Sequence, residues 1–102
     1  MRIIVPFNLN PGTNIAEYEE WAKTEDMPTA GGLPSVNSFT VHKATGLFGD
    51  PDTPPPYQYF ELLDITDLDA FIADVSDPEF QAKVAPFQDY ADSPQFILTE
   101  DL

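Results

Sequence analysis

The chain has 102 residues, room for one domain around one core. Its hydrophobic fraction of 42% and aromatic fraction of 13% support a packed globule and exclude intrinsic disorder. Eighteen acidic residues face four cations (Arg2, Lys23, Lys43 and Lys83), a formal net charge of −14 that repels phosphate backbones and anionic headgroups and excludes nucleic acid as a general partner.

Arg2 to Asn8, rich in Ile, Val and Phe, predicts a first strand closed by a turn at Asn10-Pro11-Gly12. Asn14 then offers an N-cap, with Glu17 in the capping-box position three residues on. Ile15, Tyr18 and Ala22 fall on one helical stripe with Trp21 beside it, and Glu19 and Lys23 form an i, i+4 pair. Pro28 predicts the end of this helix near Asp26. Thr29 to Pro34 reads as a loop and Ser35 to Ala44 as a second strand. Alternation there puts Phe39 and Val41 on one face and Ser38, Thr40 and His42 on the other. Thr45 to Pro56 is a long Pro- and Gly-containing connection, either a flap or an irregular surface loop. In a third strand, Tyr57 to Asp64, the residues Tyr57, Tyr59, Glu61 and Leu63 share one face. Thr66 or Asp67 caps a helix whose Leu68, Phe71, Ile72 and Val75 follow i, i+3, i+4, i+7. Asp77-Pro78-Glu79 restarts helix, Phe80, Val84 and Phe87 mark its buried side, and Pro86 stops or kinks it. Gln95 to Thr99 reads as the last strand.

The order is β-α-β-β-α-(α)-β, the ferredoxin-like α+β arrangement: a four-stranded antiparallel sheet with helices on one face. Strands one and three carry large apolar residues on both faces, such as Ile4 beside Val5 and Phe60 beside Tyr59. The face without helices needs a cover, which is the physical argument for a homodimer.

Several sites are excluded. There is no cysteine, hence no disulfide and no thiolate ligand, and no pair of histidines at zinc spacing. Asp50-Pro51-Asp52 is too short for a calcium loop, and Gly31-Gly32 lacks the context of a phosphate loop. No metal and no organic cofactor is expected. The Met1-to-Phe7 segment, with one cation and a short apolar run, fails as a signal peptide, and no apolar run approaches the roughly 20 residues of a membrane helix. A cytoplasmic protein without membrane contact is the default. The acidity reads first as a solubilising coat and second as a docking surface for a basic protein.

Three groups of residues can carry chemistry. His42, the only histidine, sits on a polar stripe with Ser38 and Thr40 and can move a proton near neutral pH. Tyr57, Tyr59 and Glu61 form a second stripe, in which a buried Glu61 would have a raised pKa. Either these stripes face one cavity, or Glu61 lies at an exposed edge with the tyrosines in core or interface. At the end of the first helix, Trp21 can wall a pocket with Asp26 as its polar anchor; equally, Trp21 is core and Asp26 surface. The candidate catalytic set is therefore His42, Glu61 and Asp26. The candidate ligand-binding set is Tyr18, Trp21, Thr40, Tyr57 and Tyr59.

The strings Ala16-Glu17-Tyr18-Glu19-Glu20-Trp21, Asp26-Met27-Pro28-Thr29, Leu33-Pro34-Ser35-Val36, Phe39-Thr40-Val41-His42 and Pro86-Phe87-Gln88-Asp89-Tyr90 add a further lead. With the element order, they make the whole chain resemble the RedY-like (HapK) family of the dimeric α/β-barrel superfamily. The resemblance implies a homodimeric barrel and a cofactor-independent protein of secondary metabolism, in pigment or alkaloid pathways, where aromatic intermediates are cyclised or condensed. Other branches of that superfamily are cofactorless monooxygenases, haem proteins and lyases. The expected function is a small enzyme acting on an aromatic or polyketide-like intermediate. The alternatives are an accessory protein that holds such an intermediate and, more weakly, an acidic interaction module.

Overall fold

The computed structural model describes residues 1–102, in which strands and helices follow the local chemistry closely. Strand β1 (Arg2–Leu9) turns Ile3, Val5, Phe7 and Leu9 toward the helices and buries all four. It ends in a turn where Gly12 adopts φ +83°, a left-handed conformation that glycine enters without steric cost. Asn14 caps helix α1 (Ile15–Trp21), its Oδ1 accepting from the Glu17 N–H at 3.0 Å.

The helix does not stop at Asp26. A π-helical turn (Ala22–Asp26) carries it into α2 (Met27–Gly31), straight through Pro28. The Met27 N–H bonds to the Ala22 carbonyl five residues back, so the i→i−4 ladder is already interrupted where the proline lacks its N–H. The wider turn has a second effect. Residues four apart drift by about 40° around an α-helix. The π turn cancels that drift, and Tyr18, Ala22, Asp26 and Ala30 all face inward.

Strand β2 (Val36–Lys43) pairs with β3 (Tyr59–Ile65), and β3 pairs with β1, all antiparallel. An irregularity between Val36 and Ser38 shifts the β2 register by one residue. Beyond it Phe39 opposes Leu63, Val41 opposes Glu61 and Lys43 opposes Tyr59 on the helix-covered face. On the open face Ser38 opposes Asp64, Thr40 opposes Leu62 and His42 opposes Phe60. The third strand begins at Tyr59 rather than Tyr57.

Helix α3 (Leu68–Val75) is capped by Asp67 and α4 (Pro78–Val84) by Asp77, each through a side-chain oxygen accepting an N–H three residues on. Pro86 ends that run and starts α5 (Pro86–Tyr90). The chain then lies along the free edge of β1 as two short strands, β4 (Ala91–Asp92) and β5 (Ile97–Leu98). One continuous strand over Gln95–Thr99 is thus replaced by two, making five strands in the order β2-β3-β1-β4 with β5 also on β1. The break falls where Ser93 takes φ +48° and Pro94 has no N–H to donate. The result is the ferredoxin-like α+β fold, with no helix long and apolar enough to cross a membrane.

The core lies under α1 and is aromatic. Phe7 stacks on Tyr59 at 5.6 Å and meets Tyr18 at 6.0 Å and Phe87 at 5.1 Å edge-on. Helices α3 and α4 contribute no buried residue. Their apolar sides overhang a space above the sheet instead.

Candidate functional site

That space is a cavity of about 820 Å³ between the covered face of the sheet and the helices. Leu63, Phe71, Phe80, Val84 and Phe96 are among its mostly apolar walls. Asp26 and Glu61 are its only acids, Gln81 and Gln88 its only amides, and no Lys, Arg or His lines it.

Asp26 comes from the π turn and is 5% exposed; Glu61 comes from the middle of β3 and is 4% exposed. Glu61 points inward because it alternates with Tyr59, Leu63 and Ile65 on the covered face. Loss of solvent raises both pKa values, Asp26 to about 6 and Glu61 to about 9. The neighbouring Asp26 charge pushes Glu61 further up, whereas a hydrogen bond from Glu61 partly lowers Asp26. At neutral pH the pair therefore holds one proton and one negative charge, and the stronger upward push on Glu61 inclines the proton toward it. Asp26 Oδ2 has no hydrogen-bond partner. The Tyr18 hydroxyl is also buried and unpartnered, and burial, Glu61 and Asp26 together push its pKa well above normal. A pair of carboxyls sharing one proton beside an apolar space can take a proton from one atom of a bound molecule and return it to another. No cluster of three or more His, Asp or Glu residues is placed to hold a metal.

Of the sequence candidates, the structure brings Asp26 and Glu61 together on one cavity. It separates His42 from them. His42 is exposed on the opposite face, its Nε2 3.0 Å from the Thr40 hydroxyl, and Thr40 lies there with it. The expectation that His42 and Glu61 share a cavity is corrected: Glu61 shares its face with the apolar stripe Phe39 and Val41 of β2 and not with the polar one.

The aromatic candidates also stand apart from the cavity. Tyr18 and Tyr59 are core, in edge-on contact at 5.0 Å, and stand outside the cavity lining. The Tyr59 hydroxyl donates to Glu19 Oε2 at 2.6 Å, and Lys43 Nζ reaches the same oxygen at 2.7 Å. Lys43 first and Tyr59 second hold the Glu19 pKa below normal, so Glu19 pairs across to β2 rather than with Lys23 along its own helix. Trp21 is half-buried against Tyr18 and Tyr90. Tyr57 lies outside the strand, packs edge-on to Phe60, and borders a separate groove of about 220 Å³ with Lys43 and Pro54.

The sequence reading assigned no binding role to the walls from α3, α4 and the C-terminal segment. The spacing of Phe80, Val84 and Phe87 marked an apolar side, but nothing local distinguishes a side packed on a sheet from one overhanging a cavity.

Comparison with known proteins places the chain in a family. No curated protein matches the chain. The crystal structure of HapK from Hahella chejuensis is 30% identical, covers 100% of this chain and 93% of its own, and superposes with a TM-score of 0.75. SnoaB from Streptomyces nogalater, described as a cofactor-independent oxygenase, shares the fold at 15% identity and a TM-score of 0.72, over 99% of this chain and 93% of its own. A dimeric ferredoxin-like protein from Thermobifida fusca does so at 18% identity and a TM-score of 0.69, over 94% and 85%. The family model for the REDY-like protein HapK matches residues 1–102, and the chain belongs to that family.

Proposed function

We propose that the protein is a cofactor-independent enzyme of secondary metabolism that rearranges an aromatic or polyketide-like intermediate by proton transfer at the Asp26–Glu61 pair. The observation that carries this reading is the placement of two buried carboxyls, one of them with an unpartnered oxygen, on the wall of an otherwise apolar cavity. The cavity volume suits a molecule of drug size. Asp26 takes a proton from an activated C–H or O–H while Glu61 delivers its own to a carbonyl oxygen. Charge and proton count balance, and the pair emerges with its proton moved from one carboxyl to the other. Such a step serves enolisation or an aldol-type cyclisation alike.

The enzyme reading separates from the accessory-protein reading in heavy water. Planar aromatic ketones are screened by thermal shift, and each binder is followed by NMR for exchange of its acidic C–H. Wild-type protein is expected to exchange the proton at least a hundredfold faster than Glu61→Gln or Asp26→Asn. Binding without exchange favours the accessory role. Exchange that survives both substitutions sinks the role of the pair.

We infer further that the protein is a homodimer through its open sheet face. Ile4, Phe60 and Leu62 are only half-covered there and Ile97 is 44% exposed, while only 17 of the 102 residues are buried in the single chain. A second copy would cover these side chains, as the dimeric neighbour suggests, and would place Thr40 and His42 in the interface. Light scattering on a sizing column should give twice the 11.3 kDa chain mass, and Leu62→Glu should give one. A monomeric wild type at micromolar concentration contradicts the inference.

A further inference from the structure

We propose that the cavity is selective for a planar aromatic cation that carries its charge on an N–H-bearing nitrogen and binds with that nitrogen at the Asp26 carboxylate. This rests on the reading of the cavity as a small-molecule site and narrows its ligand class.

Two buried carboxyls line a cavity whose walls hold no cation. Asp26 is 95% buried (5% exposed) and lines the cavity, and no N–H or hydroxyl of the protein donates to its Oδ2. Buried polar atoms in this condition cost free energy unless something pairs with them. No cation of the chain is placed to do so. Of its four cations, none lines the cavity, and Lys43 is already taken by Glu19. The hydrogen bond with Glu61 brings no positive charge, so the negative charge of the pair stays uncompensated by the protein. Tyr18 is the other titratable group interacting with the pair, and its hydroxyl is likewise unpartnered.

An anionic ligand would bring a like charge into a low-dielectric space beside Asp26 and would approach a protein of net charge −14. A cation gains on both counts. It is drawn in at long range and forms a charge-assisted hydrogen bond on arrival.

Phe71, Phe80, Phe87 and Phe96 supply aromatic rings around the cavity, surfaces that accept a flat ring system and also attract a cation to their faces. Aromatic shape and a positive nitrogen are thus selected by different parts of the same site.

The test is a fluorescence titration near pH 7.5 with three tricyclic probes of similar shape: 9-aminoacridine as the cation, 9-anthracenemethanol as the neutral hydroxyl donor, and 9-anthracenecarboxylate as the anion. The cation is expected to bind once per chain and at least tenfold tighter than either of the others. That preference should survive high salt, which removes loose association with the acidic surface. The Asp26→Asn, Glu61→Gln double variant keeps the shape of the site and should lose the cation at least tenfold while keeping the neutral probe. Should that variant fail to fold, the wild type carries the test: acidification to pH 4.5, which protonates Asp26 but leaves 9-aminoacridine charged, should weaken binding severalfold. Equal binding of the anion or the neutral probe overturns the charge selectivity and leaves the small-molecule cavity standing. Failure of all three probes to bind at one per chain overturns the cavity reading as well.

Discussion

Replacing Glu61 with glutamine should make the protein more stable at pH 9 and leave it nearly unchanged at pH 5. Glu61 has an ordinary value of 4.5 and is raised to about 9 in the fold, chiefly by burial and then by Asp26. Between those values the folded chain keeps a proton that the unfolded chain releases, so stability falls as pH rises through the window. Asp26 contributes with the same sign between 3.8 and about 6. Glutamine cannot ionise, and its amide can still donate to Asp26. One pKa unit corresponds to about 1.4 kcal/mol, so the rise from 4.5 to about 9 sets an upper bound of about 6 kcal/mol on the cost of ionising Glu61 in the fold. The gain at pH 9 should be clear and within that bound, read from urea midpoints. Repulsion within the acidic surface also changes with pH but is common to both proteins, so their difference isolates Glu61. Parallel pH profiles would show that Glu61 titrates as a solvated carboxylate.

Phe7→Ala should have the largest effect on stability of any single truncation. Phe7 is 1% exposed and touches Tyr18, Tyr59 and Phe87 at once, so it joins β1, β3, α1 and α5. Removing a buried phenyl ring costs about 3–5 kcal/mol, the transfer of its atoms plus the void left behind. Domains of this size are stable by only about 5–15 kcal/mol, so the variant should be partly unfolded at 37 °C. A loss under about 1 kcal/mol in urea unfolding would mean that the aromatic cluster does not carry the core.

The features legible in the sequence are local ones. The caps Asn14, Asp67 and Asp77 are set by side chains that accept an N–H three residues away; the sequence offers Asn14 and Asp77 directly and Asp67 as one of two choices with Thr66. Strand alternation gives the two faces of β2 and places Glu61 with Leu63. What alternation does not give is which β2 face meets Glu61. Polar stripes suggest polar company, yet a core glutamate rides on the apolar stripe, because Leu63 and Ile65 on the same side must be covered. The β2–β3 register was illegible for two reasons. The 45–58 connection is long and irregular, and the irregularity near Asn37 shifts the pairing by one. The helix continuing through Pro28 was hidden because a π turn depends on tertiary demand, here the inward placement of Ala22, Asp26 and Ala30. The cavity itself is the sum of two helices that stand off the sheet, and no single segment encodes it.

The account depends most on the single proton shared by Asp26 and Glu61. Carbon-13 NMR of the side-chain carboxyls, followed from pH 4 to pH 10, reads it directly. The account predicts that at pH 7 Glu61 carries the shift of a carboxylic acid and Asp26 that of a carboxylate, with Glu61 titrating only in the alkaline range. Two carboxyls that both ionise below pH 5 would contradict it, and with it the chemistry assigned to the cavity.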